Sequence, residues 1–450
     1  MSITKKILMC SGQASSDSWY LEYGGFASGY DNSKGKVAFD SNNNVYLSSQ
    51  DVSPGNTSRF SLAKFDSDGS LIWQKVTQTG AATAYPHDVA VGPSGNVYMC
   101  GFRNGFNSGG GQYVVKLNSS GVKQWEAFFG GTTGSADVAL SIDLDSSGNV
   151  YVSGTIDGQS SNTSGPASIV KINSSGVIQW ARCSFERSGL AEFRGIVTKS
   201  SASYVCGSQY SGGQATFGLA ASYSNAGTVQ WQYILNSSHP LDVAHGIDAD
   251  SSGNSYIAMT TVDQANLSST GMSLIKLNSS GALQWQRIIV TSSGDLEARD
   301  VALDSSGNAY ICGFQTGVSG QNDIMIIAKY NSSGTLQWQK VLQSNYDVGG
   351  GSGDARGEGV AVDSNDNVYF SGSIVSGSND RSALLFKPPT NGSATGIYSR
   401  FTYYTSTFTE KAGGITVGSA SFTNFTPTTG TSSSTLSVGN NTLSTELVPM

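Results

Sequence analysis

Charged residues make up only 13% of this 450-residue chain, histidine occurs three times, proline nine times and cysteine five times. No apolar run approaches the roughly eighteen residues of a membrane span, so membrane insertion is not expected. A net charge of -7 provides no general attraction to phosphate backbones or anionic lipid, which argues against nucleic acid as a partner. Cys100, Cys206 and Cys312 each stand two residues after a tyrosine in well-separated parts of the chain, and no C-x-x-C occurs. Buried free thiols are therefore expected, with no metal and no cofactor. Lys5 and Lys6 precede only four apolar residues, Ile7 to Cys10. That is shorter than the apolar core of a signal peptide, and no leader is expected. Gly-x-Ser-x-Gly, His-Glu-x-x-His and P-loop patterns are missing as well, and with no catalytic residues to name, the expectation is binding rather than catalysis.

What is present is glycine, 56 residues of it, with abundant Ser, Thr, Asn and Tyr and regularly spaced Val, Ile and Trp. This is the balance of turn-rich antiparallel β structure. One half-repeat reads Asn-Val-Tyr followed by Ser or Cys and Gly, with tyrosines 46, 98, 151, 204, 256, 310 and 369 at gaps of 52 to 59 residues. The other reads Lys-Leu-Asn-Ser-Ser-Gly-x-x-Gln-Trp and holds Trp73, Trp125, Trp180, Trp231, Trp285 and Trp338. Asp145 to Asn149 and Asn173 to Gly176 typify the turns, in which Asn or Asp accepts backbone hydrogen bonds and Gly supplies positive φ. Only Asp66 to Asp68 and Asp363 to Asn367 come near a calcium loop.

Each repeat is a four-stranded meander too short to bury both its faces, so the units must stack. The expected fold is all-β, a seven-bladed β-propeller of four-stranded antiparallel blades with an extended Ser/Thr-rich C-terminal tail. The chain divides into an arm (1–16), the propeller (17–404) and a low-complexity tail (405–450), which is expected to order against a partner or a copy of itself. Two segments compete to complete the last blade: Ser18 to Gly25, and Gly396 to Tyr404.

Function is expected on the face that carries the long links, because binding residues gather on variable loops of a rigid scaffold. Counting back eleven and ten residues from each tyrosine reaches the starts of the inner strands, which ring the mouth of a central channel. His87, Asp88, Arg194, His245, Arg299, Asp300 and Glu358 stand there and form the candidate ligand-binding rim.

The stretch Asp145 to Gly154 with Ile169 to Asn173 resembles the SBBP family of bacterial β-propeller repeats, a likeness that spans about residues 26–388. It implies the fold and little about activity. The termini, Ile3 to Met9 and Phe386 to Tyr398 followed by Phe401-Thr402-Tyr403, are similar to structural proteins of marine tailed phages, cyanophages included. That resemblance implies a virion component of the tail or tail fibre, assembled in the host cytoplasm. Its partners would be other virion tail proteins and a host cell-surface glycan or protein. The alternatives are a purely structural virion module (spacer, nozzle or decoration protein) or a bacterial surface adhesin.

Overall fold

A computed structural model describes residues 3–10, 13–23, 35–52, 58–77, 83–106, 109–130, 137–156, 165–185, 190–199, 201–211, 215–237, 241–262, 269–292, 294–316, 323–344, 354–375, 381–392, 396–398, 401–405, 408–412, 416–419, 423–425 and 445–447. The local unit is set by its turns. In Asp145 to Asn149 the Asp145 carboxylate accepts the N–H groups of Ser147 (3.0 Å) and Asn149 (2.9 Å), and Gly148 has φ +75°. The same carboxylate accepts the Tyr151 hydroxyl at 3.3 Å, and Lys171 lies 4.9 Å above the Tyr151 ring. Trp180 packs edge-on against that ring, 6.0 Å between centroids. Turn aspartate, tyrosine, lysine and tryptophan thus form one cassette. It recurs around Tyr46 and Tyr310.

These units give seven antiparallel sheets arranged as a seven-bladed β-propeller. The middle strands are buried on both faces and read as near-continuous apolar runs, as in Val150–Thr155 and Ser255–Val262. Core clusters span neighbouring blades: Tyr310, Met325 and Leu342 of blade 6 pack with Val360, Phe370 and Leu384 of blade 7. Six tryptophans also join two blades, since the indole N–H of Trp73, Trp125, Trp180, Trp231, Trp285 and Trp338 donates to a carbonyl in the next blade's turn at 3.0–3.4 Å. Blade 7 meets blade 1 through Tyr369 and Leu385 against Val37, Leu47 and Phe65, and through Ser371, which donates to Gly35 O at 2.6 Å.

The structure chooses between the two closing segments. Gln13–Tyr23 pairs with Arg381–Lys387 and supplies the fourth strand of blade 7, with Trp19 opposite Lys387 just as Trp125 stands opposite Lys116. All seven tryptophans therefore share one register. Two expected boundaries need correction. The arm is not a separate unit, because Ile3–Cys10 pairs with Gln13–Tyr23 as the fifth strand of blade 7. The described strands of the tail pair with the chain's own blades, and Gly396–Tyr398 and Phe401–Thr405 lie on the edge of blade 6. An open strand edge is a row of unmet hydrogen-bond groups, and the tail meets that need within the same chain.

Asp363 to Asn367, which comes near a calcium loop in sequence, forms a hydrogen-bonded turn. Asp363 accepts from Asn365, Asn367 and Tyr369, and Asp366 accepts from the backbone and hydroxyl of Ser305. Cys100, Cys183, Cys206 and Cys312 are free and buried.

Candidate functional site

The inner strands of blades 2 to 7 share one irregularity. Each carries a β-bulge one strand-turn from its link end, and the extra residue is His87, Leu140, Arg194, His245, Arg299 or Glu358. A bulge leaves one residue out of the ladder and re-aims its side chain. Repeated around the ring, it sets Leu140, Arg194 and His245 in the lining of a central channel of about 400 Å³, and His87, Arg299 and Glu358 at the equivalent positions of their own blades. The ordinary ladder position that follows holds Lys36, Asp88, Ser141, Gly195, Gly246, Asp300 and Gly359.

Six of the seven expected rim residues occupy the places that counting assigns, and Arg194 requires a correction of one position. It is the bulged residue of blade 4, equivalent to His87 and not to Asp88. The loop between Thr198 and Ser203 is one residue shorter than that between Leu144 and Val150, which shifts the count. Glu186, Arg187, His239, Pro240, Tyr346 and Asp347, which the sequence assigns to the link face, lie outside the described residues.

The rim is a charge-compensated network. Arg299 donates to Glu297 at 2.7 Å, lies 3.7 Å from Glu358 and 3.5 Å from the His245 ring nitrogen Nδ1, and its guanidinium covers the Phe314 ring. Arg194 is paired with Glu192, which also accepts from Ser208. One level deeper, Lys36 reaches from blade 1 to Asp300 of blade 6 at 2.7 Å. Burial alone would lower the Lys36 ammonium, but the Asp300 and Asp88 carboxylates outweigh it and hold it above its ordinary value. Burial raises the Asp88 carboxyl, opposed by Lys36 and by hydrogen bonds from Ser141 (2.6 Å) and Ile142 N (3.1 Å).

Toward the turn face a second polar tier contains Asp143, Thr198, Lys199 and Asp248. Asp143 accepts Thr198 N at 2.6 Å, and Asp248 accepts Leu303 N at 2.9 Å and pairs with Lys199 at 3.2 Å. Burial raises the Asp143 carboxyl to about 6. Asp88, Asp143, Asp248 and Asp300 each take a backbone N–H from the following blade, so they fasten blades as well as line the channel. Sequence reasoning overlooked Glu192, Asp143, Lys199 and Asp248. The Glu-x-Arg of Glu192-Phe193-Arg194, repeated in Glu297-Ala298-Arg299, was the available signal for the first.

Among the described residues, no group of three or more His, Cys, Asp or Glu is arranged to hold a metal ion. No helix among them is long and apolar enough to cross a membrane.

No family model matches the sequence, and no curated relative matches it. Solved structures do show similarity. A polysaccharide lyase aligns with 81% of this chain and 91% of its own at 10% identity and a TM-score of 0.45. A xylan β-1,4-xylosidase from Bacillus halodurans aligns over 86% and 95% at 9% identity and a TM-score of 0.31. The soluble aldose sugar dehydrogenase of Escherichia coli aligns over 86% and 100% at 10% identity and a TM-score of 0.34. The expectation of a protein without catalytic activity is withdrawn on this finding, since the similar structures are enzymes. At such identities and TM-scores the likeness brings neither a reaction nor a substrate to this chain.

Proposed function

We propose that the protein is a ligand-binding propeller that engages a polar, glycan-like molecule at the link-face mouth of its channel, as a component of a phage tail or tail fibre. The observation that supports the binding reading is the bulge repeated at one position of six inner strands, which holds His87, Arg194, His245, Arg299 and Glu358 at equivalent places around the ring. Donors and acceptors held in place by their neighbours, as Arg299 is by Glu297 and Glu358, suit a neutral hydroxyl-rich ligand, which takes and gives hydrogen bonds without requiring a net charge. The virion assignment rests on the likeness of the termini to tailed-phage structural proteins.

A second reading is a purely structural module of the particle. It is favoured by the same compensation, because each rim arginine is already paired within the chain. Adsorption of the full-length protein to candidate host cells, beside a His87→Ala, Arg194→Ala, His245→Ala variant, separates the two. Binding by the native protein and its loss in the folded variant is the expected result. Equal adsorption overturns the rim assignment, and no adsorption by either leaves the structural module. Assay of the supernatant for released saccharide reports whether a bound glycan is also cleaved.

A further inference from the structure

The tail has a period of its own. From Phe401 the sequence divides into seven units of seven residues, starting at Phe401, Phe408, Ile415, Phe422, Thr429, Leu436 and Leu443. All but the fifth begin with an apolar residue followed by Thr or Ser. The described strands follow that period. Phe401–Thr405, Thr409–Ala412, Thr416–Ser419 and Thr423–Phe425 add antiparallel to the outer strands of blades 6, 5, 4 and 3, one unit to each blade, against the order of the chain.

The register is the same on the five blades that carry a described tail strand. The fifth residue of a unit stands opposite the second residue after the blade's tryptophan: Thr405 opposite Lys340, Ala412 opposite Arg287, Ser419 opposite Tyr233, and Leu447 of the seventh unit opposite Lys75 of blade 1. In blade 3 the fourth residue, Phe425, faces Cys183, the third after Trp180, which is the same alignment. Blade 7 has its edge taken by Ile3–Cys10.

The contacts explain why a unit fits. Phe408, the first residue of the second unit, packs against the core cluster shared by blades 5 and 6, as Trp285 and Leu336 do, and its carbonyl accepts from Gln339 at 2.7 Å. Glu410 pairs with Arg287 at 3.3 Å. Glutamine follows the tryptophan in four blades, at Gln74, Gln232, Gln286 and Gln339, so the same reach is available on each. Adjacent strands rotate by roughly 20–25°, and four steps from the inner strand turn the fifth nearly across the ring axis. Fifth strands on successive blades follow one another in the chain at intervals of three residues.

We propose that residues 401–428 are a strap read in units of seven, for which the outer edges of blades 6, 5, 4 and 3 are equivalent receptors, and that it fastens a ring whose closure is non-covalent. An apolar residue fills the crevice, the next four pair with the edge, and the last two cross toward the neighbouring blade. Because each crossing ties two blades, separating blades requires the strap to unzip first.

Two deletions in the full-length chain test phase against mere length. Removing Thr407 alone puts each later unit one residue out of register, which turns its side chains to the opposite face. Removing Ile415 to Ser421 shortens the tail by seven residues and keeps the phase. Hydrogen exchange of the segment downstream of each deletion is the readout, with the propeller core as internal control. The shorter deletion should lose protection in Thr409 to Phe425 by about tenfold or more, while the longer one keeps it in Phe422 to Phe425. Equal protection in both, or loss in both, overturns the strap.

Discussion

Asp143 provides the sharpest test of how the channel is held. Its carboxyl is raised from 3.8 to about 6, first by burial and further by Asp248, against the backbone N–H groups of Thr198 and Leu144 and the charge of Lys199. In the unfolded chain the same group titrates near its ordinary value. Between about pH 4 and pH 6 the folded protein holds a proton that the unfolded chain has released, so this group's contribution is full below pH 4 and is lost as pH rises through 6. At about 1.4 kcal/mol for each tenfold in proton affinity, the loss is about 3 kcal/mol. Asn is a permanently neutral stand-in that still accepts from Thr198. The Asp143→Asn variant should match the native protein near pH 4 and exceed it by about 3 kcal/mol near pH 8. Urea denaturation of both proteins across that range measures the difference, and contributions from Asp88 and other groups cancel in it. A difference that stays constant with pH, or that changes sign, would refute the assignment of a partly buried, charge-averse carboxylate in the channel.

Trp285→Phe removes the indole donor to Ser332 O (3.3 Å) and should cost about 1–2 kcal/mol by thermal or chemical denaturation, with the blade otherwise intact. Gly334→Ala should cost more, about 2–3 kcal/mol, since Gly334 has φ +80° and an added methyl would lie 2.7 Å from the Trp285 ring. Lys36→Met leaves Asp300 without its cation across the channel, and a loss of about 2–3 kcal/mol is expected, reduced by the partial exposure of the pair. A thiol reagent at pH 8 should leave Cys100, Cys183, Cys206 and Cys312 unmodified until the protein unfolds, because all four are buried and burial pushes the Cys183 thiol up to about 12. Rapid labelling of any of them in the native state would contradict the packing between blades.

The repeat was legible because short-range chemistry writes it. An aspartate or asparagine, a glycine at positive φ, a tyrosine and a tryptophan must recur wherever the same turn and the same crevice recur, and their spacing determined seven blades and the phase of each strand. The rim residues followed from that phase by counting, and the count failed only at Arg194, where a loop one residue shorter moved the bulge. The tail's period of seven was also present in the sequence. It was hidden because each unit is shorter than a strand and turn, and has no meaning until a row of edges is there to read it.

The tertiary structure alone decided three things. Gln13–Tyr23, and not Gly396 to Tyr404, closes blade 7, a choice between two compatible strands that depends on which edge each can reach. The arginines of the rim are paired with Glu192, Glu297 and Glu358, because a bulge re-aims side chains in a way that no alternating pattern records. The strap follows the rim backward, since blade 7 is already filled by the chain's own beginning and the next open edge belongs to blade 6. Local sequence specifies turns and strands. The meeting of the two ends around a ring is settled by the closed geometry in which every blade edge seeks a partner.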